Sequence, residues 1–228
     1  MKILALSDEV SPEIYSDSLD RVFGDVELVL SCGDLPFDYL EYVVSILNVP
    51  LLYVHGNHDQ GVLTSSGEIL VQPRGCVDVG GRIVQVKGLL IGGLDGCLRY
   101  RPGAAYQYSE WEMRLKIFKM APRLWRNRLT KGRALDILLT HAPPYGIHDA
   151  QDQAHRGFRS FLWFMERYRP KYLIHGHTHP RMTDPRPRRY GDTEVIHVYG
   201  YKVLDIPTET EGRGRRIAQG VGLPVGLR

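Results

Sequence analysis

One pattern, recurring along the 228-residue chain, limits the folds open to it: a short apolar run that ends in a cluster of Asp, Asn or His. The instances are "KILALSD", "VELVLSCGD", "LLYVHGNHD", "ALDILLTHAPP" and "YLIHGHTHP". Each run is apolar at both alternating sets of positions, which suits a strand covered on both faces of a sheet. Between them lie segments with helical spacing at Phe37–Leu47, Ser109–Met120 and Phe158–Tyr168. Strands alternating with helices predict an α/β sandwich. Gly80-Gly81 predicts a tight turn joining two antiparallel strands, and "TEVIHVYGYKVLDI" a strand or strand pair near the C-terminus. Neither an internal repeat nor an interdomain linker interrupts the pattern, so one domain is expected over residues 1–206. The remainder, 207–228, lacks periodicity, is rich in Gly and Arg, and predicts a loosely held tail.

Bulk properties remove several function classes. With 43% hydrophobic and 24% charged residues, the chain has the balance of an ordinary soluble protein. No apolar run reaches the ~18 residues of a membrane span. The N-terminal run meets Asp8 and Glu9 too early for a signal peptide, which points to the cytoplasm. Cys32, Cys76 and Cys97 form no C-x-x-C pair, so neither a disulfide framework nor a thiolate zinc site is indicated; they read as small packing groups. A net charge of +3 is too small for a nucleic-acid footprint. The basic stretches Pro122–Arg133 and Asp184–Asp192 read as a solvated helix face and a hairpin loop.

Ligands of open α/β sheets bind outside the C-terminal ends of the strands. Here those ends carry Asp8, Asp34, Asn57 with His58 and Asp59, His141, then His177 and His179. Singly, each reads as a helix cap or a satisfied polar group. Together at one edge they would cost several kcal/mol if crowded without a partner, and a cation is what offsets that cost. Carboxylate, amide oxygen and imidazole without thiolate suit Mn²⁺, Fe or Zn²⁺. The set is too rich in nitrogen for Ca²⁺ and too large for one tetrahedral zinc. Two ions about 3.5–4 Å apart, bridged by a carboxylate, would use it well.

In order along the chain, "SD", "GDLP", "GNHD", "THAPP" and "GHTH" resemble the calcineurin-like metallophosphoesterase superfamily, whose pattern runs D-x-H, GD, GNH-D/E, H, GHxH. The resemblance extends from Met1 to about Ile206. It implies a four-layer α/β/β/α sandwich, two mixed sheets flanked by helices. It also implies hydrolysis of phosphate esters by a hydroxide that two divalent ions, Mn²⁺ first among the candidates, activate. Asp34 would bridge both ions. Asn57, His141 and His177 would complete one site, Asp8 and His179 the other. His58 would be the general acid, with Asp59 orienting its imidazole. His175, inside the strand, would simply pack there.

Position 10 departs from that pattern: it is Val10, not His. The first site then keeps Asp8, Asp34 and His179, and its affinity should fall. Glu9 points to the opposite face. His148, Asp149, Asp152 and His155, in the loop after "THAPP", are open alternatives for the missing ligand. Arg99, Tyr100 and His148 are candidate substrate contacts. Without a capping domain of the nuclease kind, a small phosphomonoester or phosphodiester is expected rather than nucleic acid or a membrane. Two classes of function stay open: a metal-dependent phosphoesterase, and a quiet interaction module that keeps the fold, as in the superfamily's retromer-subunit branch. His58 argues for the enzyme.

Overall fold

A computed structural model describes residues 1–59, 61–63, 67 and 69–207. The tail assigned to 207–228 therefore lies, Pro207 apart, outside the described residues. In chain order the first elements are β1 (Lys2–Ser7), α1 (Leu19–Phe23), β2 (Leu28–Ser31), α2 (Phe37–Leu47), β3 (Leu51–Tyr53), β4 (Val62–Leu63), β5 (Ile69–Leu70) and β6 (Val77–Asp78). There follow β7 (Ile83–Val86), β8 (Leu89–Leu94), β9 (Cys97–Leu98), β10 (Gln107–Tyr108), α3 (Glu110–Lys131) and β11 (Ile137–Thr140). The last are α4 (Arg159–Tyr168), β12 (Tyr172–His175), β13 (Arg188–Tyr190), β14 (Thr193–His197) and β15 (Gly200–Asp205).

Two mixed sheets form. One has the order β15-β1-β2-β3-β6, parallel except for β15 against β1; the other, β13-β14-β12-β11-β8-β7, has antiparallel strands at both edges. The doubly apolar strands explain the layering. Ile3 and Ala5 of β1 face Ile137 and Leu139 of β11 between the sheets, together with Leu28, Leu30, Ile91, Ile174 and Ile196. Leu4 and Leu6 point the other way, onto Leu19, Phe23, Tyr39, Leu40 and Val43 of α1 and α2. Leu138, Leu173 and Val195 likewise turn outward onto Met113, Ile117, Phe161 and Phe164 of α3 and α4. Alternate side chains thus feed different cores, giving helix, sheet, sheet, helix.

Three local outcomes refine the sequence reading. Gly80-Gly81 joins no hairpin: β6 belongs to the first sheet and β7 to the second, so the chain crosses between layers here. The antiparallel turn falls instead at Lys87-Gly88, both left-handed, the backbone a two-residue hairpin needs. Helix α3 runs past Met120 to Lys131 although Pro122 lies inside it. Leu124 and Asn127 are buried beneath it, whereas Pro122 and Phe118, whose carbonyl loses its partner, face solvent. Helix α4 has no side-chain cap of its own. Glu110, at the start of α3, accepts from Arg159 N–H at 2.6 Å and Ser160 N–H at 3.0 Å.

Candidate metal centre

The polar clusters gather where the parallel strands of both sheets end. Three of their members, Asp8, Asp34 and His177, have positive φ, at 62°, 56° and 70°. This conformation costs a non-glycine residue of order 1 kcal/mol and concentrates at functional sites. Each occurs just after a strand, where a sharp reversal turns the side chain back over the sheet edge. Glycines clear the space. A Cβ on Gly56 would lie 2.7 Å from Asp34 N and closer still to Asp34 Oδ1; one on Gly176 would strike Ser7 and Asp8 Oδ2.

At this edge His177 N–H donates across the two sheets to Asp8 Oδ2 at 2.8 Å, and within the first sheet His58 N–H donates to Asp34 Oδ1 at 2.8 Å. His141, fully buried, is held by the Cys32 carbonyl 2.8 Å from its Nδ1. That bond keeps the Nδ1 proton and leaves Nε2 with a lone pair. Nε2 nonetheless lies 3.0 Å from Asn57 Oδ1 and 3.3 Å from Asp34 Oδ2. In that orientation the Asn57 Nδ2 donates to Tyr100 Oη at 3.1 Å. Three acceptors therefore converge with no neutral-state proton between them. Asp34, His141 and His177 each place one ligand atom within 4.8 Å of the others. The His141 and His177 ring centres are 4.7 Å apart. Convergent acceptors, one of them a carboxylate, are what a divalent cation requires, so these residues fit the ion.

The titration behaviour has the same cause. Burial pulls the pKa of His141 down, but the carboxylates of Asp34 and Asp8 outweigh it and raise the value to about 9. Burial, with the charge on His141, lowers that of His177. Asp34 stays low despite burial, because His141 faces it; Asp8, more deeply buried, is raised. A proton on His141 thus supplies the positive charge that a metal would otherwise bring, and proton and metal compete for one lone pair.

The remaining candidates are placed as follows. His179 is exposed, its Nδ1 3.1 Å from Tyr199 Oη. His58 is exposed on a cleft of about 370 Å³ lined also by Asp34, Leu35, Pro36, Phe37, Asp59 and Gly61. Among the described residues no hydrogen bond joins Asp59 to the His58 ring. The Asp59 Oδ2 accepts Gly56 N–H at 2.8 Å and stands 3.6 Å from His55 Nδ1. Val10 is exposed. Arg99 is engaged by Glu112 and the Gln107 carbonyl. His148 is buried, its Nε2 on the Arg186 carbonyl and its Nδ1 on His175 Nε2 at 2.9 Å. With His197 these form a buried trio behind the centre, ring centres 5.2–5.9 Å apart. His175 packs in the strand, as its position in the apolar run predicts. Tyr100, a candidate substrate contact by sequence, meets Asn57 instead; 43 residues separate the pair, and no local signal links them.

Comparison with known proteins agrees with this architecture. Residues 1–181 match the model of the family described as calcineurin-like phosphoesterase. Among solved structures, TT1561 of Thermus thermophilus superposes with a TM-score of 0.62 at 16% identity, covering 90% of this chain and 93% of that one. A Vps29 single mutant from Entamoeba histolytica aligns at TM-score 0.40 and 14% identity, over 90% of this chain and 86% of its own. No curated protein matches the chain. With the family model spanning most of the sequence and the acceptor cluster standing at the sheet edge, the chain belongs to the calcineurin-like phosphoesterase family, whose members bind divalent metals.

Proposed function

We propose that the protein hydrolyses small phosphate esters, mono- or diesters, with two divalent ions, Mn²⁺ first among Mn²⁺, Fe and Zn²⁺. The convergence of Asp34 Oδ2, Asn57 Oδ1 and His141 Nε2 beside the cleft that holds His58 carries this reading. Bound ions would supply an activated water nucleophile and neutralise the phosphoryl oxygens. Asp34, Asn57, His141 and His177 would hold one ion; Asp8, Asp34 and His179 the other. The cleft floor, Leu35, Pro36 and Phe37, gives the ester's organic group an apolar seat. A ring nitrogen of His58 donates its proton to the departing alkoxide as the phosphorus–oxygen bond breaks, and water attacks from the opposite side. His58 carries this role because it is exposed on the cleft while its backbone is pinned to the Asp34 carboxylate. Tyr100 keeps the Asn57 oxygen turned toward the ions.

Turnover of p-nitrophenyl phosphate and of its bis-ester tests the reading, first with Mn²⁺ and then with chelator. Activity should depend on the metal, and the ratio of the two rates assigns mono- or diesterase. His58→Ala should lower kcat ~10²–10⁴-fold, the usual worth of a general acid, with metal content unchanged. Absence of turnover with Mn²⁺, Fe²⁺, Ni²⁺ and Zn²⁺ alike would refute the proposal in favour of a quiet interaction module.

A further inference from the structure

Val10 leaves one ion short of an imidazole, and another imidazole stands beside the GHTH pair. His155, in the loop between β11 and α4, has its ring centre 5.1 Å from that of His177 and 6.4 Å from that of His179. Asp152 holds it. One oxygen, Oδ1, accepts the Ala154 and His155 N–H groups at 3.1 Å each and stands 2.8 Å from the His155 ring Nδ1. The first two bonds already close the turn. The third adds nothing to the backbone; it fixes the ring's orientation and keeps its proton on Nδ1, which leaves the Nε2 lone pair free. A carboxylate behind a histidine is the usual support of a metal ligand.

The same loop is fastened to the centre itself. His177 Nε2 donates to the Ala154 carbonyl at 2.8 Å, so the residue next to His155 is tied to one of the candidate ligands. That bond sets the His177 tautomer as well, leaving Nδ1 as its ligating atom. The His155 side chain is 23% exposed, open enough for an ion to reach it and covered enough to be held.

We propose that His155, positioned by Asp152, is a ligand of the second divalent ion, together with Asp8 and His179, and takes the place of the histidine that Val10 displaces. The inference rests on the two-ion reading given above. Asp8, Asp34, His179 and His155 would then hold that ion, which would still be open to water and substrate.

The test is Mn²⁺ binding by the full-length chain after chelator dialysis, read by calorimetric titration and by electron paramagnetic resonance. Wild type should take two ions with the spectrum of a spin-coupled pair. His155→Ala should keep the tighter ion at unchanged affinity, bind the second ~10–100-fold more weakly, and show the six-line signal of isolated Mn²⁺. Asp152→Asn, which keeps an accepting oxygen behind the ring but removes its charge, should fall between the two and serves also if the alanine variant folds poorly. Two ions bound by His155→Ala with wild-type affinities and coupling would overturn this assignment and leave the phosphoesterase reading standing. A wild type that binds one ion only would overturn both this assignment and the two-ion form of the functional reading, leaving a one-ion phosphoesterase. Failure of wild type to bind any ion would remove the functional reading itself.

Discussion

Gly56→Ala puts the steric logic of the centre to a direct test. The added Cβ would sit 2.7 Å from the Asp34 backbone nitrogen, where ordinary contact begins near 3.4 Å, and nearer still to Asp34 Oδ1. Rotating the carboxylate relieves only the second clash. The backbone shortfall, about 0.7 Å, must be met by separating the loop after β2 from the loop after β3. That movement breaks the His58 N–H bond to Asp34 Oδ1 and opens the 3.3 Å approach of Asp34 Oδ2 to His141. Overpacking of this kind costs ~1–3 kcal/mol, hence a melting temperature lower by roughly 2–10 °C in the presence of chelator. Displacing a carboxylate that both ions share should weaken Mn²⁺ binding ~10–100-fold, the range seen when ligand support is lost. Calorimetric Mn²⁺ titration and thermal melting read the two effects separately. Asp34→Asn is the control: it keeps the shape, so metal affinity should fall without overpacking, and any loss of chelated stability reports the missing charge opposite His141 and should vary with pH. A Gly56→Ala protein with wild-type affinity and melting temperature would refute the claim that this glycine exists to admit the carboxylate.

Two smaller perturbations probe what surrounds the ligands. Tyr100→Phe removes the acceptor of Asn57 Nδ2, freeing the amide to flip its nitrogen toward His141; Mn²⁺ affinity should fall several-fold, roughly the ~1 kcal/mol of a neutral hydrogen bond, and an unchanged titration would deny Tyr100 its positioning role. His197 is 1% exposed, its Nε2 bonded to the Thr178 carbonyl and its Nδ1 without a hydrogen-bond partner among the described residues, so a second proton on Nδ1 would find no acceptor, and burial lowers its pKa to about 4. The unfolded chain therefore binds the extra proton first, and stability falls as pH drops from about 6.5 toward 4, by up to ~3 kcal/mol in all. Urea unfolding of chelated protein at pH 7 and pH 5 should show this loss, with a shallower slope in His197→Gln; equal slopes would dismiss the residue as its source.

What the sequence discloses about this centre follows from how far each constraint reaches along the chain. A strand buried on both faces must be apolar throughout, so the sheets announce themselves in runs such as Ile3–Leu6 and Ile137–Leu139, and the polar residue after each run marks the edge where a ligand would sit. Helix α2 is legible for the same reason: its apolar face repeats within eleven residues. Features that depend on distant partners leave no such trace. Nothing near Phe158 reveals that α4 starts uncapped and borrows Glu110, and nothing near Gly80 reveals that two apolar stretches separated by a glycine pair belong to different sheets. Asp59 shows a motif reaching its limit: the letters name a carboxylate beside a histidine, and at that turn the side chain accepts its own loop's Gly56 N–H. The loop after β11 shows the converse. Its four polar residues read alike in sequence, yet folding separates them: His148 is drawn into a buried stack with His175, Asp149 onto Gly157 N–H, and Asp152 with His155 to the rim of the candidate centre. Which of several equivalent side chains meets the ions is settled by the left-handed turn at His148 and by the Ala154 carbonyl bound to His177, contacts that span 23 residues. A sequence can therefore declare how many ligating groups a site has to draw on; which of them the site uses is decided by the backbone that carries them there.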